Sequence, residues 1–212
     1  MLVALALLSR ALPSRALLTV LLLALSAPVG TAEAGTLIVD ALAPAEVRLD
    51  DEPLLTLWAP MMVAVEGLSA GPHVAQVTQK KDKREHPFNL PSTGNLRLLV
   101  ADKKLSTDVL VPPAPAEGEE AAPVVELKPT PGQRFAILLD GKRLLAVGPT
   151  YAVRLDGVPV GAHAVEIRSG DLQNIWNRGT LTLAGGDSVT LVLNEGRAPT
   201  ATGTPNAWRV AE

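Results

Sequence analysis

The chain contains no cysteine. Thiol nucleophiles, thiolate metal ligands, iron–sulfur clusters and disulfide staples are excluded, so the fold must hold by core packing alone. Aromatic residues make up only 3% of the sequence, so any interior is built mostly from Val, Leu and Ala. Charge of one sign is not in excess either. The 19 Lys and Arg stand against 22 Asp and Glu, which argues against general nucleic-acid binding, because that needs a clustered basic surface. Also missing are a Ser in a nucleophile-elbow context, a phosphate-cradling Gly-rich loop opening a helix, and a zincin helix. Turn chemistry is plentiful instead. The 18 Pro and 17 Gly disfavour long helices and suit a turn-rich β protein.

The one long hydrophobic run lies near the N-terminus. Arg10 and Arg15 precede an apolar stretch from Ala16 to Ala27, Pro28 breaks it, and Ala32-Glu33-Ala34 fits the small-x-small cleavage pattern. As a helix, that stretch rises only about 18 Å, short of a hydrocarbon core of roughly 30 Å. Residues 1–34 are therefore expected to be a signal peptide, with no membrane span after cleavage. An uncleaved anchor is the alternative, since Met1 to Leu8 is also apolar, but Arg10, Pro13 and Arg15 interrupt a continuous span. No Cys follows as a lipid attachment site. The expected location is exported, periplasmic or extracellular.

The rest of the chain is written twice. Val65-Glu66-Gly67-Leu68-Ser69-Ala70-Gly71-Pro72-His73-Val74 aligns without a gap on Leu155-Asp156-Gly157-Val158-Pro159-Val160-Gly161-Ala162-His163-Ala164. The same offset sets Val47-Arg48-Leu49-Asp50 on Ile137-Leu138-Leu139-Asp140. A copied unit is a structural unit. Period-2 alternation predicts strands around 35–40, 44–49, 61–65 and 73–77, with counterparts at 137–139, 151–155 and 163–167. Asp140-Gly141 is a strong two-residue turn signal, and Asp50-Asp51 a weaker one, because the second residue needs positive φ. Final hairpins are expected from Phe88–Leu90 to Leu96–Val100 and from Leu181–Leu183 to Val189–Leu193. Residues 105–123, centred on Pro112 to Pro123, form a solvated Pro/Ala/Glu linker that should let the copies reorient. Residues 196–212 are Thr/Pro/Ala-rich and expected to be disordered. The expected fold class is all-β: two small β-sandwich-like modules in tandem, 35–104 and 124–195.

These residues resemble the PEGA domain. Copy one carries the resemblance in Gly35-Thr36-Leu37-Ile38-Val39, Pro44 to Asp50, Pro60, and Leu68-Ser69-Ala70-Gly71-Pro72-His73. Copy two carries it in Ile137 to Gly141, Gly148-Pro149 and Val158 to Ile167. Both copies depart from the family pattern after the His strand, with Lys80-Lys81 and Gly170-Asp171 where Gly-Tyr is usual. The resemblance implies a small β-sandwich-like module of bacterial envelope proteins, an accessory part without catalysis.

Candidate chemistry is sparse. His73 and His163 share strand parity with apolar neighbours, so each should face inward with its ring bonded to the preceding turn. Neither has partners at metal-ligand spacing. Asp50 and Asp140 read as turn acids bonding backbone amides. Lys80, Lys81, Lys83 and Arg84 form the sharpest charge cluster, on an expected loop over 79–87, and with Trp176 they are the candidate interaction residues. Trp58 and Trp176 could act as sugar-stacking faces, although core or rim packing is the plainer reading. No catalytic residue, metal or cofactor is expected. The expected function is an exported, non-enzymatic module of the bacterial cell envelope that contacts an envelope protein or matrix polymer; the alternative is a carbohydrate- or peptidoglycan-binding module.

Overall fold

Short aliphatic runs broken by Gly, Pro and Asp give seventeen strands among the described residues. The computed structural model describes residues 35–110, 121–129, 133–149, 151–194 and 197–211, and these contain no helix. The signal-peptide reading lies outside the described residues. Copy one supplies β1 (Thr36–Ala41), β2 (Ala45–Leu49), β3 (Glu52–Leu57), β4 (Met61–Glu66), β5 (Gly71–Gln79), β6 (Asp82–Leu90), β7 (Asn95–Ala101) and β8 (Lys104–Leu110). Copy two repeats them in order as β9 (Val124–Pro129), β10 (Phe135–Leu139), β11 (Lys142–Val147), β12 (Ala152–Asp156), β13 (Gly161–Ser169), β14 (Ile175–Leu183), β15 (Ser188–Asn194) and β16 (Arg197–Gly203), and adds β17 (Trp208–Val210).

The strands form two sheets, as an all-β sandwich requires. The eight-stranded sheet runs β16-β15-β9-β12-β4-β1-β7-β8, and the nine-stranded sheet runs β17-β14-β13-β10-β11-β3-β2-β5-β6. Each copy gives four consecutive places to each sheet, and copy two adds β17 as a fifth in the nine-stranded one, so both sheets pass through both copies. The joints are the antiparallel pairs β4–β12 and β3–β11. Free reorientation of two separate modules, expected from the Pro-rich stretch, does not survive this pairing. The described residues fall within one compact unit.

Alternation along each strand sends one face inward. Leu37, Val39, Val63, Val65, Leu98 and Val100 of the eight-stranded sheet meet Val47, Leu49, Leu55, Leu57, Ala75 and Val77 of the nine-stranded one. Copy two continues the same cluster with Val125, Leu127, Val153, Leu155 and Leu191 over Ile137, Leu145, Val147, Ile167 and Leu181. Phe135 is the one fully buried aromatic ring among the described residues. Each such Val or Leu contributes about 1.5–3 kcal/mol of burial free energy, so a core with few aromatics is sufficient.

Three expectations need correction. The chain does not turn back as a hairpin after β6 or β14. It crosses to the other sheet, where β7 lies parallel to β1 and β15 parallel to β9. The physical reason is that β1 and β9 each offer a free edge beside β4 and β12. Residues 105–110, read as linker, belong to β8, because Leu105 and Val109 alternate against Val100 and Leu96 of β7. Residues 111–120 lie outside the described residues. The tail is ordered over 197–203 and 208–210: the Thr-rich strand β16 pairs with β15, and β17 pairs with β14. Gly179 makes room for that last pairing, since a Cβ there would come within 2.5 Å of the Trp208 ring.

The two-residue turns appear as expected. Asp140 and Gly141 have φ of 50° and 74°, and Asp50 and Asp51 have 49° and 66°. Asp51 is held in this unfavourable region by Arg48, which donates to its carbonyl, and by Gln76 Nε2, which donates to its Oδ1 at 2.7 Å. A bulge recurs at equivalent places, between Val47 and Arg48 and between Ile137 and Leu138. At Gly141 an added Cβ would meet nothing within 4 Å, so its substitution tests backbone strain alone. Gly141→Ala is expected to lower unfolding free energy by about 1–2 kcal/mol, read as a shifted urea midpoint with unchanged slope.

Candidate functional site

The most organised polar cluster occurs twice. In copy two the tight turn places Asp140 at the end of β10, beside the start of β13. Asp140 Oδ1 accepts from the Ala164 amide at 2.9 Å, and Oδ2 lies 2.9 Å from His163 Nδ1. The other ring nitrogen, Nε2, is 2.8 Å from the Pro159 carbonyl. The Asp140 amide in turn donates to the Ala164 carbonyl at 2.7 Å. Copy one repeats every link: Val74 amide to Asp50 Oδ1 at 2.8 Å, His73 Nδ1 to Asp50 Oδ2 at 2.6 Å, His73 Nε2 to the Ser69 carbonyl at 2.8 Å, and Asp50 amide to the Val74 carbonyl at 3.0 Å. Both rings are buried, and His73 lies 5.8 Å from the Phe88 ring, centroid to centroid.

The inward-facing His bonded to its preceding turn was legible in the sequence. Its second partner was not. The turn aspartate bonds an amide and a ring across the sheet rather than its own sequence neighbours. The signal was the identical Asp-to-His separation of 23 residues in both copies.

A His163 ring flanked by acceptors on both sides donates from both nitrogens when it carries charge. The bond to the Asp140 carboxylate raises the His163 pKa; burial opposes this, and the bond to the Pro159 carbonyl adds to it. Asp140 is lowered, first by His163 and then by the Ala164 amide. With a folded pKa above the unfolded one, the His163 contribution is complete below about pH 6.5 and fades as pH rises through the raised value. With a folded pKa below the unfolded one, the Asp140 contribution is present above about pH 3.9 and fades as pH falls through the lowered value. The pair stabilises most between those limits.

The candidate interaction residues do not come together. Only Lys80 and Lys81 lie in the turn between β5 and β6; the expected loop over 79–87 is a correction, since Asp82–Leu90 is strand. The long hairpin pairs from Gly71↔Leu90 to Gln79↔Asp82, which leaves two residues to turn. Lys80, Lys81 and Lys83 are exposed. Arg84 is turned inward, donating to the Ala101 carbonyl at 2.9 Å and to Gln79 Oε1. Trp176 is on β14, seven strands from β6 in the same sheet, about 34 Å away at ordinary strand spacing. Its ring is partly buried against the core, as the plainer reading expected, and Trp58 is half-buried between β3 and β4.

One concave surface was not foreseen. On the outer face of the nine-stranded sheet in copy two, a groove of about 540 Å³ is lined by Leu138, Gly141, Glu166, Arg168, Arg178 and Thr180, among others. Glu166 accepts from Arg178 Nε at 2.6 Å and from Arg168 Nε. Burial pushes the Glu166 carboxyl up, but the bonds from Arg168 and Arg178 outweigh it and leave its pKa below the ordinary range. Among the described residues no group of three His, Cys, Asp or Glu is placed to hold a metal ion.

The chain matches no protein-family model and no curated protein. Among solved structures it is similar to CBMbc, a family CBM26 module from Eubacterium rectale Amy13K, crystallised with maltoheptaose. The likeness covers 82% of this chain and 99% of that one, at 8% identity and a TM-score of 0.27. At that level it carries nothing about ligand or role from that protein to this one.

The pH argument has a direct check. The thermal midpoint of the wild-type chain is expected to exceed that of Asp140→Asn most between about pH 4 and 6.5, with the gap narrowing on both sides. A gap independent of pH between 4 and 9 would remove the charged pair from the account.

Proposed function

We propose that this chain is an exported, non-catalytic module of the bacterial cell envelope, akin to the PEGA domain, that makes protein–protein or protein–matrix contacts. The observation that carries this reading is the duplicated Asp–His–carbonyl chain. In each copy both ring nitrogens and both carboxylate oxygens are bonded to structural neighbours. Two copies using the same acid and the same imidazole to tie a turn to a strand is what a structural part looks like. A general base instead needs a lone pair aimed at a substrate. The contact surface in this reading is the basic tip of the β5–β6 hairpin, where Lys80, Lys81 and Lys83 project from the end of the nine-stranded sheet. Exposed charge of this kind steers association with anionic partners.

A second reading, polysaccharide or peptidoglycan binding, is favoured by the copy-two groove. Its apolar floor at Leu138, flanked by Glu166, Arg168, Arg178 and Thr180, offers the mixture of surface and hydrogen-bonding groups that a sugar face uses. Copy one has no such arrangement of charges: Arg48 and Gln76 stand at the places of Leu138 and Glu166, and both bond Asp51.

Two variants of the full chain separate the readings. Charge reversal at Lys80, Lys81 and Lys83 together is expected to remove most envelope proteins marked by proximity labelling in the native envelope, with sedimentation on purified sacculi unchanged. Under the second reading Arg178→Ala weakens sacculus binding at least tenfold and leaves the labelled set intact. Turnover of an envelope polymer by the purified wild-type chain would sink the non-catalytic reading.

A further inference from the structure

The joint between the two copies has its own symmetry. From β2 to β5 each residue of copy one has a counterpart 90 residues on. Across β4 and β12, Val63 faces Leu155 and Val65 faces Val153, so each faces the counterpart of the other. Ala64 faces its own counterpart, Arg154. Across β3 and β11 the pattern repeats: Leu55 faces Val147, Leu57 faces Leu145, and Thr56 faces its own counterpart, Ala146. The flanking bonds obey the same rule, with the Trp58 amide donating to the Leu144 carbonyl at 3.1 Å and the Gly148 amide to the Leu54 carbonyl at 2.8 Å. A two-fold axis therefore passes through the Thr56–Ala146 and Ala64–Arg154 pairs. This is the geometry of an isologous dimer interface, in which the same patch serves both sides.

The side chains on this patch are not the same, and the differences discriminate between partners. If copy two met another copy two, Arg154 would stand directly opposite Arg154, a like-charge pair that destabilises strand pairing. If copy one met another copy one, Trp58 would occupy the place of Gly148, where even a Cβ comes within 2.0 Å of the Pro53 carbonyl. The unlike pairing avoids both conflicts. Arg154 sits against fully buried Ala64, with its guanidinium 4.0 Å from Glu66 and 3.1 Å from Asp156. Gly148 has no side chain to clash with Pro53.

We propose that this chain is a covalent pseudo-dimer: the partner that fits the β3–β4 edge of copy one is the β11–β12 edge of copy two, chosen against a second copy of itself, and the docking holds without the connection through residues 111–120. The surface is two open sheet edges with an apolar layer between them, so the backbone pairs give register and Leu55, Leu57, Val63 and Val65 meeting Leu145, Val147, Val153 and Leu155 give affinity. Repulsion and steric conflict in the like pairings give selectivity. A second chain can supply the same edge in trans.

The test uses the full chain with a protease site inserted between residues 111 and 120. After cleavage, native mass spectrometry is expected to find one copy-one fragment with one copy-two fragment, and no homodimer of either. Fragments that separate, aggregate, or form homodimers as readily would overturn the proposal. Gly148→Ala is expected to weaken the cleaved complex at least tenfold while the uncut chain stays folded, because the tether supplies an effective concentration in the millimolar range. Ala64→Arg, which sets Arg against Arg154, is expected to weaken it likewise and serves if Gly148→Ala does not fold. Either folded variant leaving the complex as tight as wild type would count equally against the proposal.

Discussion

A four-stranded half-sheet has two edges, and an edge is a row of backbone donors and acceptors that must be paired, covered or wetted. Each copy here brings two such half-sheets, so two of its edges lie at β3 and β4. The structure depends on how these are closed. Pairing β3 with β11 and β4 with β12 removes four open edges at once and fuses two small cores into one cluster. A small domain buries a smaller fraction of its surface than a larger one. Fusion is thus also the remedy for a chain with no disulfide and few aromatics.

The remaining polar chemistry serves the same end. A sandwich built from short strands is only as well defined as its turns, and the positive-φ turns at Asp50 and Asp140 are intrinsically costly. Tying each turn acid to a strand amide and to a buried imidazole converts that cost into a fixed corner. The imidazole also reaches a carbonyl of the turn that precedes its own strand, at Ser69 or Pro159, so one ring locks two turns to one strand. That arrangement explains why a His occupies the first inward place on β5 and β13, where alternation alone would ask for Val.

What could be read in the sequence was what depends on local pattern. Alternation placed most strands, Asp140-Gly141 announced its turn, and the parity of His73 and His163 gave their direction. The missed crossovers and the missed order of the tail rest on pairing between distant segments. Nothing near Leu96 says that its strand will run parallel to β1. Thr200 and Thr202 become strand only because β15 offers an edge. Pro112 and its neighbours suggest independence, whereas the residues that join the copies, such as Thr56 and Ala64, look like ordinary strand residues. The basic cluster misled for a different reason: its charge count is a sequence property, but the inward turn of Arg84 is set by the Ala101 carbonyl and the Gln79 side-chain oxygen.

Duplication frees one copy to change where the other must not. The interior and the Asp–His ties are kept in both halves, because each half carries the same load. Their outer faces have parted. Where copy one has Arg48 and Gln76 both bonded to Asp51, copy two has Leu138, Glu166 and Gly141. Removing the Asp51 side chain at Gly141 opens the floor, and Arg168 and Arg178 gather on Glu166 at its rim. The asymmetry at the joint follows the same logic, since Arg154 faces Ala64 there and not a second Arg. A symmetric pair could not have acquired either feature on one side alone. The groove and the selective joint are both consequences of two halves held together by backbone pairing while their side chains diverged.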